Sequence, residues 1–287
     1  MGEFEWKACA DGCVLTRYTG SAARVAVPEE VCGLAVREIG SYCFHGHREL
    51  ERVTLPARVK RLGAHCFYDC RNLRELAVSD GIRETADGCF KNCRSLHALD
   101  LTVREHHFTI LKQLLDEVSR RVAVTIHFPD GACAKLLFPR FLQDYEENTA
   151  ARIINQVTYG AGVHYRSCIG EHAIDYESYD GRFGLLVNLE EPEVCGEAAL
   201  LRLSAPVRLS EKAAAEYEAY LHENLRELAG AFLAGERYEL IELLADLASE
   251  AEREILLTCA QEAGALAVVS SLLQRRAGQA AEDEFDL

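Results

Sequence analysis

The sequence predicts an α+β protein: a short solenoid of stacked repeats, then an α/β middle segment, then an all-helical C-terminal part. Three observations predict it. Phe44, Phe67 and Phe90 stand 23 residues apart, as do Leu50, Leu73 and Leu96, and Val53, Leu76 and Leu99. Between Phe108 and Phe138 one helical spacing is followed by two alternating segments around Pro129-Asp130-Gly131. From Leu209 onward apolar residues recur at three and four, the period of amphipathic helices. A fixed period of about 20 to 50 residues marks an array whose units bury their apolar faces only against their neighbours.

Within the array each unit holds a short strand, and Leu55, Val78 and Leu101 close the three units. Arg52-Val53-Thr54-Leu55 alternates inward and outward, and Pro56 ends its pairing. Ile39-Gly40 and Leu62-Gly63 turn the chain, and the segment with Cys43-Phe44 or Cys66-Phe67 crosses to the other side. Stacking gives parallel strands on one face with ladders of Phe, Leu and Cys behind them. Val25-Ala26-Val27-Pro28 matches Val53-Thr54-Leu55-Pro56 from 28 residues earlier, the extra five falling at Glu30–Ala35, where Gly33 marks a turn. Residues 1–24 read as a partial rung or cap.

The stretch Ile39-Gly-Ser-Tyr-Cys-Phe-His-Gly-His-Arg-Glu-Leu, followed by Arg52-Val-Thr-Leu-Pro, resembles the BspA-like (Treponema type) leucine-rich repeat. Cys70 and Cys93 fall on that family's cysteine position, His47 takes it in the first unit, and Cys43, Cys66 and Cys89 replace its usual Ala. Thr85-Ala86 stands where Ile-Gly is expected, and no Pro follows Leu101, so the regular array is expected to end there. The resemblance implies a leucine-rich-repeat recognition scaffold. Many of its members are cell-surface adhesins. The outward strand positions Arg52, Thr54, Glu75, Ala77, Ala98 and Asp100 are then the candidate binding surface.

Phe108–Val118 is predicted helical. Val122–Phe128 is predicted to extend the array's sheet, with Cys133–Phe138 returning to cover its last edge, since an open edge invites self-association. Pro139–Val157 is predicted as a helix with Phe141, Leu142, Tyr145, Ile153, Ile154 and Val157 as its buried stripe. Residues 159–189 gather His164, His172, Asp175, Tyr176, Tyr179 and Asp180, groups able to act in acid–base or metal chemistry. They define the alternative reading, an enzyme or metal-binding protein.

Ser210 caps a long helix running to Gly235, and further helices are predicted over Tyr238–Ala248, Glu250–Ala263 and Ala265–Arg276. The last two, joined at Gly264, resemble the helix pair of an ankyrin repeat. The domains expected are 1–138, the repeat array with its N-terminal cap and its capping helix and hairpin; 139–277, mainly helical; and 278–287, an acidic tail without structure.

Composition narrows the function. The chain of 287 residues is 49% hydrophobic and 27% charged, ordinary for a globular protein. No apolar run is long enough to span a membrane, and Glu3, Glu5 and Trp6 stand where an export signal needs a basic and then an apolar segment, so a cytoplasmic protein is expected. Of the net charge of −15, residues 1–101 contribute nothing, with 14 basic against 14 acidic side chains. Residues 102–287 hold 17 against 32, which excludes general nucleic-acid binding and favours a basic partner. Twelve cysteines read as buried apolar thiols rather than disulfides. Cys66, Cys70, Cys89 and Cys93 offer four thiols for zinc, but repeat position already explains their spacing, so packing is expected. The function expected is a non-catalytic scaffold binding a protein or peptide through the strand face, or through the cleft where array meets helices. Neither cofactor nor metal is expected.

Overall fold

The structure, a computed structural model, describes residues 3–148 and 153–285, with side chains over 3–142 and 158–275. The chain divides into two compact units, Met1–Arg182 and Phe183–Leu287.

The first unit opens with β1 (Phe4–Cys9), β2 (Gly12–Tyr18), β3 (Arg24–Ala26), β4 (Glu30–Val31) and β5 (Leu34–Ile39). The array continues through β6 (Arg52–Thr54), β7 (Arg61–Leu62), β8 (Glu75–Ser79), β9 (Glu84–Thr85) and β10 (Ala98–Thr102). It is closed by α1 (Thr109–Glu117), β11 (Val122–His127) and β12 (Cys133–Phe138). After these come β13 (Leu142–Asn148), β14 (Ile153–Tyr159), α2 (Gly162–Arg166) and α3 (Tyr176–Asp180).

Two sheets face each other across the array. One runs β12-β11-β10-β8-β6-β3, parallel except for the last hairpin. Its register is the 23-residue repeat made visible: Val53 pairs Leu76, and Leu76 pairs Leu99. The other runs β1-β2-β5-β7-β9 and is built from the short turns behind. The extra residues at 30–35 form a tight antiparallel turn, Val31 opposite Leu34, with Cys32 and Gly33 both at positive φ.

Between the sheets the aromatic rings form one column. Phe44 stacks on Phe67 at 5.0 Å and Phe67 on Phe90 at 5.8 Å, with Tyr18 and Phe4 continuing it N-terminally. The cysteine column beside it uses its thiols. Cys70 donates to the Phe44 carbonyl at 2.9 Å and Cys93 to the Phe67 carbonyl at 3.1 Å. His47 does the same work in the first unit, its Nε2 lying 3.1 Å from the Tyr18 carbonyl. Gly63 is required for close stacking, because a Cβ there would stand 2.3 Å from the Ser41 backbone nitrogen. Ala86 occupies the equivalent place in the third unit and is exposed, with no further rung behind it.

The predicted end cap is present. β11 adds to β10 in parallel and β12 folds back on it. The Tyr179 hydroxyl both accepts from the Leu137 N–H at 2.8 Å and donates to its carbonyl at 2.7 Å, occupying the open side of β12. Arg166, buried, donates to the Leu115, Val118, Arg120 and Pro139 carbonyls and so caps the C-terminal end of α1. These reaches back explain why the first unit runs to Arg182 and past the boundary expected at 138.

The described residues of Pro139–Val157 are not helical. The segment supplies β13 and β14, paired antiparallel from Leu142 opposite Tyr159 to Asn148 opposite Ile153. The β-branched Ile153, Ile154, Val157 and Thr158 favour a strand, and a spacing of three and four over so few residues does not outweigh that. Of the expected stripe, Phe141 is buried and Leu142 is exposed, while the side chains of Tyr145, Ile153, Ile154 and Val157 lie outside the described residues.

Every element among the described residues of the second unit is a helix: α4 (Phe183–Leu189), α5 (Pro192–Ser204), α6 (Glu211–Glu223), α7 (Leu225–Ala234), α8 (Tyr238–Leu247), α9 (Glu250–Glu262) and α10 (Leu266–Phe285). Ser210 caps α6 by accepting from the Ala213 N–H. The single long helix expected to Gly235 is broken at Asn224, whose side chain donates to the Tyr220 carbonyl and competes with the backbone there. Helix α5 went unpredicted because its apolar and small residues surround it without a stripe. Buried Glu197 holds Arg237 by two bonds, tying α5 to the start of α8. Helix α10 runs on to Phe285, through most of the tail expected to lack structure; Gln279, Ala280, Ala281 and Glu282 are good helix formers without any apolar period. Leu287 and the residue before it lie outside the described residues.

Candidate functional site

The outward positions predicted on the strand face do lie together, because parallel register brings the same place of each repeat into one row. Arg52 pairs across to Glu75 and Glu75 to Ala98; Thr54 pairs to Ala77 and Ala77 to Asp100. Their charges are spent on one another. Arg52 Nη1 lies 2.8 Å from Glu75 Oε2 and its Nη2 3.6 Å from Asp100 Oδ2, while His127 Nε2 is 3.6 Å from Asp100 Oδ1. Each of Arg52, Glu75 and Asp100 is about two-fifths exposed, so this ladder orders the surface and adds little stability.

At the N-terminal ends of these strands lies a cluster of basic side chains. Arg74 precedes β8, His97 precedes β10, and Arg120 and Arg121 precede β11; with Arg94, Ser95 and Leu96 they line an open pocket of about 390 Å³. Arg74, Arg94 and Arg120 are exposed, and among the described residues none of their guanidinium groups meets a carboxylate. No acidic residue lines the pocket. Repeat position explains this cluster: Arg74 and His97 occupy the same place in successive units, and the cap's own turn adds Arg120 and Arg121. Sequence reasoning missed it because the four arginines come from three segments that lie apart in the chain.

The thiols behave as packing groups. Burial pushes the Cys43 and Cys70 thiols up to about 12, and pushes Cys66 and Cys93 up as well. Cys89 donates to the Ala86 and Gly63 carbonyls. Among the described residues no three cysteines converge as ligands.

The polar residues of 159–189 have separate tasks. Asp175 caps α3 by accepting from the Ser178 N–H, and the Tyr179 hydroxyl is committed to β12. His164 is exposed on α2, and Asp180 is buried. The grouping expected of His164, His172, Asp175 and Asp180 therefore does not form as a ligand set. His172 instead meets His107 and Glu171, a cluster considered below. No described helix is long and apolar enough to cross a membrane.

Parallel rungs of one short strand and one return turn, with stacked inward side chains, define a repeat solenoid of the leucine-rich class. Residues 32–118 match the BspA type leucine-rich repeat region, in six copies, and the array is a repeat region of that type. A crystal structure of a T. pallidum leucine-rich repeat protein (TpLRR) is similar at 30% identity and a TM-score of 0.33, over 36% of this chain and 52% of that one. This chain thus spans about half the length of the T. pallidum protein. A leucine-rich repeat protein from Bacteroides capillosus is 23% identical, over 35% of this chain and 78% of that one, with a TM-score of 0.33. One from Bacteroides ovatus is 18% identical, over 36% and 30%, with a TM-score of 0.31. A search of curated proteins finds no match.

Proposed function

We propose that the chain is a non-catalytic protein-interaction scaffold. An acidic stretch of a partner protein docks at the arginine pocket and continues across the strand face over Arg52, Thr54, Glu75, Ala77 and Asp100. The observation that carries this reading is the set of unpaired guanidinium groups, Arg74, Arg94 and Arg120, around one concavity in a chain of net charge −15. Guanidinium forks match carboxylates in bidentate geometry, and exposed side chains keep that capacity until a ligand arrives. The whole-chain charge draws basic molecules at long range; at the pocket the local sign is reversed and sets what can dock.

The test uses a labelled oligoglutamate peptide and a labelled oligolysine peptide titrated against the full chain by fluorescence anisotropy. The glutamate peptide binds, weakens as salt is raised, and loses about tenfold or more in affinity with Arg74→Glu and Arg120→Glu combined. Both residues are exposed, so thermal melts of the variant stay those of the parent. Preferential binding of the lysine peptide, or indifference to the two reversals, overturns the reading.

A further inference from the structure

We infer that His107, Glu171 and His172 form a binding site for a divalent transition-metal ion, zinc in the first place, that fastens a turn of the chain to the end of the repeat array. Two imidazoles and one carboxylate are a common donor set for zinc. Their ligand atoms all lie within 4.8 Å of one another. His107 Nε2 is 3.3 Å from Glu171 Oε1, and His172 Nε2 is 3.7 Å from the same oxygen. Two donors each about 2.0–2.1 Å from zinc at a tetrahedral angle stand about 3.4 Å apart, so these separations leave room for the ion between them. A direct charge-assisted pair would be shorter, about 2.7–2.9 Å.

The backbone holds this set in place from both sides. Asp80, fully buried, accepts from the N–H groups of Arg104, Glu105 and His107, which fixes the loop after β10. The Phe108 N–H donates to the Glu171 carbonyl at 2.8 Å, joining that loop to the turn 170–173. The turn itself is closed by the bridge between Ile169 and Ile174 and by the bond from the Gly170 N–H to the Ala173 carbonyl. Ligands on two such anchored segments move little on binding, which lowers the entropy cost of capture.

Burial fixes which nitrogen of His107 is offered to the ion. The ring is nine-tenths buried, and its Nδ1 is buried without a hydrogen-bond partner. Its Nδ1 is enclosed, so Nε2, which faces Glu171, is the nitrogen offered to a ligand. His172 and Glu171 are about two-thirds exposed, so the ion enters from solvent and keeps at least one vertex for water. The site shares no residue with the arginine pocket and does not depend on what docks there.

The test is a zinc titration of the reduced full chain by competition with a chelating dye, repeated with Glu171→Gln and His172→Ala. One equivalent binds to the parent chain, and each variant lowers its affinity by about tenfold or more. Both substituted side chains are exposed, so the fold is kept and a melt of the metal-free variants checks it. Cobalt loading separates this site from the thiols: d–d bands without a thiolate charge-transfer band are expected. The absence of one stoichiometric equivalent overturns the assignment, and so does binding unchanged by both substitutions or a strong thiolate band, the last of which would place the ion on cysteine.

Discussion

At the scale of single residues, the array closes its columns with polar atoms rather than apolar ones. The last ring, Phe90, has no rung beyond it to receive its N–H, and Glu117 from α1 accepts that bond at 2.6 Å. Burial holds the Glu117 carboxyl above the usual carboxylate range, with the Phe90 N–H pulling it back in part. A raised acid binds its proton more tightly when folded. Its contribution is therefore fully present below the unfolded value and is lost as pH rises through the folded one. Glu117→Gln keeps an acceptor and removes the buried charge, so its stability relative to the parent should grow from about pH 4 to pH 7. Glu117→Ala leaves the Phe90 N–H without its bond and should cost about 1 kcal/mol at low pH, where the parent is neutral. Urea midpoints at the two pH values read both effects, and a gap between Gln and parent that shrinks with pH would show the carboxylate to be favoured instead.

At the scale of elements, the open side of β12 is an edge at which the array could pair with a second copy of itself. A parallel solenoid ends in unpaired backbone groups, and the hairpin β11–β12 only moves that edge outward by two strands. Tyr179 answers it by bonding the Leu137 N–H and carbonyl with one hydroxyl. Tyr179→Phe keeps the ring, which packs at 4.7 Å on Tyr165, and frees both backbone groups. The expected outcome is a loss of about 1–2 kcal/mol and concentration-dependent self-association in sedimentation velocity. A strictly monomeric variant of parental stability would mean the edge is protected by other means. Arg166 plays the matching part for α1, and its burial pulls the guanidinium down to about 10 because no carboxylate bonds it and only carbonyls do.

At the scale of the molecule, nearest-neighbour contacts make the array fail as a column. Phe67 lies between Phe44 and Phe90 and is fully buried, so Phe67→Ala removes two stacking contacts at once. It should cost about 3–5 kcal/mol. Hydrogen-exchange protection should fall together in β6, β8 and β10, while α5 to α9, in the other unit, keep theirs. Protection lost at β8 alone would argue against coupled rungs.

The rungs were legible in the chain because a 23-residue repeat imposes the same neighbours three times, and Phe, Leu and Cys ladders need no knowledge of distant contacts. So was the end cap, since Val124-Thr-Ile-His-Phe-Pro repeats the strand motif that precedes it. The candidate sites were legible only in part. Arg52, Glu75 and Asp100 were correctly placed on one face, but nothing linear says that their charges neutralise one another. Repeat pitch and apolar period are local properties, and they settle which residues stack and which face inward. Which charges remain unpaired, that Arg74 and Arg120 line one pocket, and that His107 closes on Glu171 and His172 across more than sixty residues all depend on how far-apart segments are folded back. Folding brings such groups together through backbone contacts that leave no spacing for a sequence to display.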